Sequence, residues 1–271
     1  MNLKEVILMI ESSIGQTSFI PLFGRAFVSQ KGIILNDKKA EEIWNRENYM
    51  IKGQTFSKWL AYEMAMRAKV FDNWVQDKLN ENKDAVVLHL GCGLDSRIDR
   101  VNAEGHFWFD LDFPSVITVR KKYFTEGKTY KMIDCDITLF DWLYEIPKGK
   151  NAIVIMEGFS MYLKESKLIW LFQMLAEQFE KVSLLMDIYT PLAAKLTEWK
   201  NPINEVGVTQ VYGVDSYEKC ECYGFKFIQE HSMTPSHLMS ELSKLEQRVF
   251  KTVFAGKFSK RLYKLYEYEK I

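Results

Sequence analysis

The chain has no apolar run long enough to span a bilayer, no net charge, and too few and too scattered cysteines and histidines to suggest a metal centre. Thirty-six basic residues offset thirty-six acidic ones. No global field therefore draws it to nucleic acid or an anionic membrane, and a small-molecule or protein substrate is the default. The stretch Met1–Glu11 has too short an apolar run and too early an acid for a signal peptide, which gives a cytoplasmic expectation. Cys92, Cys135, Cys220 and Cys222 match no zinc spacing and read as small thiols of a reduced protein. No repeat or low-complexity segment occurs. His89, His106, His231 and His237 fall in no motif that demands a catalytic base, and His89 reads as a core histidine inside a strand.

What is present begins with Ala85 to Arg97, where a β-branched run enters the turn Gly91-Cys92-Gly93. Such a turn brings backbone against a nucleotide-like cofactor. Fifteen residues on, Phe107 to Asp112 reads as a second strand ending in carboxylates, placed to take the hydroxyls of a ribose. A dinucleotide fingerprint wants a third glycine where this chain has Ser96. Asp95 beside that turn would repel a diphosphate and tolerate a sulfonium, so S-adenosylmethionine is favoured over NAD. A glycine turn needed for backbone reasons alone, and an NAD-linked oxidoreductase, are the competing readings.

Residues 4–83 read as helical and aromatic, with Trp59, Tyr62, Glu63, Met66, Val70 and Trp74 on one stripe that suits core packing. Beyond residue 84, short apolar runs alternate with helices, the pattern of a mostly parallel sheet with helices on both faces. Strands are expected at 85–90, 106–111, 130–135, 151–157, 181–188 and 225–231, and helices near 113–126, 165–180 and 216–223. The fold class is α/β, a Rossmann-like class I sheet. Its expected divisions are an N-terminal helical cap over 1–83, a catalytic domain over 84–271, and a lid insertion at about 190–215 after the fifth strand.

Four segments taken together resemble successive motifs of the leucine carboxyl methyltransferase family: Leu90 to Arg97, Asp110 to Ile117, Asp134 to Ile137 and Met156 to Leu163. Thr17 to Ala26 with Leu35-Asn36-Asp37 resembles its bacterial small-molecule branch, similar to the tetracenomycin-type polyketide O-methyltransferases, more than the branch that methylates a phosphatase C-terminus. The resemblance implies residue roles. Arg67 would hold the cofactor's carboxylate through a two-bond guanidinium fork. Gly91 and Gly93 would admit its amino-acid part. Asp112, with Asp110 as substitute, would take the ribose. Asp136 and the Ile137 amide would read the adenine, Glu157 would meet the ammonium near the transfer site, and Tyr162 would stand close to it. Arg25 is the candidate for the family's N-terminal basic residue. The implied activity is O-methyl transfer, without a metal, to a carboxylate or acidic hydroxyl of a small, partly apolar acceptor. A cofactor-binding protein without catalysis and a protein C-terminal carboxyl methyltransferase are the alternatives.

Overall fold

In the computed structural model, residues 17–47, 57–197 and 211–271 are described. The start Met1–Glu11 and the middle of the 190–215 insertion lie outside the described residues. Among the described residues three helices come first: α1 Phe19–Lys31, α2 Lys38–Glu47 and α3 Lys58–Glu81. Gly32 ends α1 in the left-handed conformation that glycine adopts without steric cost, and the Ser57 side chain caps the start of α3.

Seven strands follow, with the remaining helices between them. They are β1 Val86–Leu90, α4 Arg97–Arg100, β2 Trp108–Asp112, α5 Pro114–Arg120, β3 Tyr130–Asp134, β4 Ala152–Met156, α6 Glu165–Gln178, β5 Val182–Tyr189, α7 Pro191–Thr197, β6 Phe225–His231, α8 Ser236–Met239, α9 Lys244–Val253 and β7 Tyr263–Lys270. The sheet order is β3-β2-β1-β4-β5-β7-β6. Strands β1 to β5 pair in parallel, whereas β7 runs antiparallel between β5 and β6. Both faces are covered, which is why β1 and β4 are buried at every position instead of alternating. On one face α6 lays Leu168, Leu171, Phe172 and Leu175 against Leu88, Val154 and Leu184. On the other, Phe71, Trp74, Val75 and Leu79 of α3 pack on Val87, Ile153, Ile155 and Leu185. Much of the expected aromatic stripe on α3 is therefore core, as its spacing predicts, and the helix belongs partly to the sheet layers.

Every expected strand forms, with ends displaced by a residue or two. Two helices are shorter than expected. The 113–126 helix stops at Arg120, whose guanidinium turns back into the interior, and 216–223 forms only a single 3-10 turn, Tyr217–Cys220. Among the described residues no helix is long and apolar enough to cross a membrane.

Candidate active site

The carboxyl ends of β1, β2, β3, β4 and β5 open into one cavity of about 990 Å³. Helix α1, the first turns of α3, helix α7 and the segment after α9 roof it. Its volume sits at the upper end of the range for small-molecule sites. Arg67, Gly91, Gly93, Asp112, Asp136, Ile137, Glu157 and Tyr162 all line it, and so does Arg25.

At the glycine turn, Gly91 and Gly93 have φ of +69° and +53°. A Cβ on Gly91 would stand 2.6 Å from the Phe159 ring, so this position requires glycine for both conformation and space. Asp112 ends β2 and accepts the Gly93 amide at 2.7 Å and the Phe113 amide at 2.8 Å, one on each carboxylate oxygen. Each oxygen keeps a lone pair for a ligand hydroxyl. Burial raises this carboxyl above its ordinary range, against the two amides that favour its charge. After β3, Asp136 accepts the Thr138 amide at 2.9 Å through one oxygen and Ile137 is buried beside it.

Asp110 is not at the site. It is fully buried, accepts from Trp108 Nε1, Tyr130 and Arg120, and does not reach the cavity. Strand alternation puts it on the same side as Asp112. The Arg120 guanidinium sits against it, and this arginine also donates to the Gly93 carbonyl at 3.1 Å. Asp110 therefore anchors the arginine that holds the glycine turn in place. Against the cost of burial, Arg120 and then His89 hold its carboxyl down at about 2.

Arg67 lines the cavity, but its fork is engaged by the protein. Nε donates to Glu157 at 3.0 Å, Nη1 donates to Asp187 at 3.0 Å, and Nη1 also meets the Tyr263 hydroxyl. Only Nη2 has no acceptor among the described residues, so the expected two-bond clamp reduces to a single donor. Glu157 is bound on its other oxygen by Arg97. The sequence reading missed Asp187. Met156 lies opposite Met186 in the sheet, so Glu157, just past the end of β4, stands beside Asp187 near the end of β5. Asp187 also accepts the Gly158 amide and the Tyr263 hydroxyl, and burial, outweighing Arg67, raises its carboxyl. An acid closing the apolar run Leu184-Leu185-Met186 was the available signal.

Ser96, where a dinucleotide site has its third glycine, is buried and donates to Asp37 at 2.6 Å. Around it lies an ion-pair network. Arg97 pairs with Asp72 and Asp95, Arg100 with Asp72, Asp37 and Asp95, and Arg25 with Asp37 and Asp95. With Arg67, Glu157 and Asp187, four guanidiniums face five carboxylates in this buried set. The excess of one negative charge favours a cationic ligand in the adjoining cavity. Arg25, whose guanidinium is bound by Asp37 and the Leu94 carbonyl, belongs to this scaffold. Tyr162 is half-buried, and its hydroxyl is pushed up to about 12 by burial, which makes it a proton donor in hydrogen bonds at neutral pH. Among the described residues no group of three or more His, Cys, Asp and Glu side chains is arranged to hold a metal ion.

The model of the leucine carboxyl methyltransferase family matches residues 18–176. The tetracenomycin polyketide synthesis O-methyltransferase TcmP of Streptomyces glaucescens is 29% identical over 220 residues, 80% of this chain and 81% of that protein. The S-adenosyl-L-methionine-dependent methyltransferase dpfgK of Gibberella zeae is 29% identical over 181 residues, 60% of this chain and 61% of that one. Among solved structures, a candidate methyltransferase from Thermobifida fusca superposes with a TM-score of 0.57 over 91% of this chain and 93% of that chain at 12% identity, a likeness of fold.

Proposed function

This chain belongs to the leucine carboxyl methyltransferase family and is an S-adenosylmethionine-dependent methyltransferase, and from that premise we propose that it methylates an oxygen, carboxylate or acidic hydroxyl, of a small, partly apolar molecule. The observation that carries the reading is the cavity of about 990 Å³, acidic and glycine-lined over β1 and β2, apolar under α7 and the residues after α9. One cavity with two such ends suits a cofactor and an acceptor held together.

The residues fit the cofactor. Asp112 has a lone pair on each oxygen for the ribose hydroxyls, and Asp136 has one oxygen left for an adenine amino group beside the Ile137 amide. The paired ends of β4 and β5, with their excess negative charge, suit an ammonium or a sulfonium, while Arg67 Nη2 offers one donor to a carboxylate. Bound there, S-adenosylmethionine supplies a methyl group already activated by positive sulfur. What remains for the protein is alignment and exclusion of water. Phe159 walls the glycine turn, and Tyr162 lines the cavity beside it. Calorimetry with S-adenosylhomocysteine and with NADH, followed by transfer of labelled methyl to a panel of phenols and carboxylic acids, tests the proposal. Binding of the first and labelled small-molecule product support it. A preference for NADH, or transfer confined to a protein C-terminus, removes it.

A further inference from the structure

The chain as a whole has no net charge, but its charge is unevenly spread toward the C-terminus. Between Lys244 and Lys264 stand seven basic residues and one acid, Glu246. Lys264 is paired with Glu230, and Glu246 is held by Lys58 and the Tyr62 hydroxyl on the inner side of α9. The other six cations, Lys244, Arg248, Lys251, Lys257, Lys260 and Arg261, are exposed and have no ion-pair partner among the described residues. The apolar residues of the same stretch divide in two. Phe250 and Phe254 turn inward, packed on each other and on Tyr62 and Trp59 of α3. Leu245, Val249 and Val253, each about one turn after the last, face outward instead, and Leu245 is 72% and Val253 57% exposed. At about 100° per residue, Lys244, Arg248 and Lys251 run along one flank of that stripe. Just beyond the helix, Phe258 is 62% exposed. Val253 and Phe258 also line the large cavity, so the cavity reaches the surface inside this patch.

We propose that α9 and the segment from its end to Arg261 dock the protein on an anionic lipid surface, with the opening of the cavity turned to the lipid. A helix that lies in a membrane interface sinks its apolar stripe below the headgroups and sets its lysines and arginines on the anionic lipids. Here the stripe and the cations share the outward side of one short segment, so a single surface can engage both. Nucleic acid would use the cations and leave Leu245, Val249, Val253 and Phe258 facing a polar partner. A second copy of the chain would cover the stripe, but a two-fold contact would bring two sets of six like charges together. The neutrality of the whole chain does not oppose the docking. At about 0.1 M salt the field of distant charges is screened within about 10 Å, so an approaching membrane meets the patch and not the sum. The docking does not depend on the methyl-transfer reading. Its consequence for that reading is that an acceptor held in a bilayer meets the cavity without crossing water.

Co-sedimentation of the full chain with vesicles of phosphatidylcholine alone, and of phosphatidylcholine with about 30% phosphatidylglycerol, tests this. The protein should partition onto the anionic vesicles and come off between about 0.05 and 0.5 M salt. Arg248→Gln, Lys251→Gln and Lys257→Gln together should weaken that partition about 100-fold, about fivefold for each cation removed. Leu245→Ser with Val249→Ser, which leaves the cations in place, should weaken it about tenfold. None of these residues lines the cavity, and all are exposed, so both variants should bind S-adenosylhomocysteine within about twofold of the wild type. That control shows that a lost partition is not a lost fold. No partition, equal partition on the two kinds of vesicle, or variants that bind vesicles as the wild type does overturns the proposal. A dimer in sedimentation equilibrium that Leu245→Ser with Val249→Ser dissolves also overturns it, because a second copy would then be what covers the stripe.

Discussion

Replacing Arg67 by alanine should cost the protein its fold stability before it costs cofactor affinity. The guanidinium is buried, with Glu157 at 3.0 Å, Asp187 at 3.0 Å and the Tyr263 hydroxyl around it. Glu157 keeps Arg97 when Arg67 is removed, but Asp187 keeps only hydrogen bonds. Breaking a buried pair from one side costs about 3–5 kcal/mol, because the charge left behind stays out of water. For a domain of this size that corresponds to a drop of about 6–20 °C in Tm. Adding Asp187→Asn to the alanine variant removes the stranded charge and should recover part of the loss. Lysine at 67 should recover less than the native arginine gives, since an ammonium lacks the fixed fork that meets both acids. In those variants that fold, S-adenosylhomocysteine affinity should fall by about 1.5–3 kcal/mol, the range for a hydrogen bond to a charged group. Differential scanning calorimetry with and without S-adenosylhomocysteine reads both effects. An alanine variant that melts within about 2 °C of the wild type would refute the account of this arginine as the tie between α3 and the ends of β4 and β5.

Asp112→Asn should weaken S-adenosylhomocysteine binding about tenfold or more by calorimetry, with a smaller change in Tm, because its free lone pairs face the cavity. Asp110→Asn should act on stability through pH. The native carboxyl lies at about 2 against an ordinary 3.8, so its contribution of about 2 kcal/mol is full above pH 4 and is lost as pH falls from about 4 to 2. The asparagine variant should be less stable near neutrality and show a flatter dependence across that window in urea titrations; an unchanged acid limb counts against the pairing with Arg120. Gly91→Ala, which puts a methyl group against Phe159 at a left-handed position, should lose about 1–3 kcal/mol in stability together with cofactor affinity.

Local signals carried much of this structure. The β-branched run before Gly91 and the acids that close short apolar runs located β1, β2 and β4, since burial on both faces of a parallel sheet leaves no other composition. The alternation Tyr263-Lys264-Leu265-Tyr266-Glu267-Tyr268 marks β7, and Ser243 three residues before Glu246 marks the capped start of α9, so the C-terminal elements were legible in principle too. Which acid faces the cavity was not. Asp110 and Asp112 have the same strand parity, and only the arrival of Arg120 from the end of α5 separates anchor from ligand site. The same holds for Arg67, whose fork is closed by Asp187 from 120 residues away. Long-range pairing decides these roles, and spacing along the chain does not encode it.

The most direct test is a crystal structure of the protein with S-adenosylhomocysteine. The ribose hydroxyls should lie within hydrogen-bond distance of Asp112, with the adenine beside Asp136 and Ile137 and the thioether near Glu157, facing the apolar end of the cavity. A ligand seated elsewhere, or a ribose held by residues other than Asp112, would contradict the account.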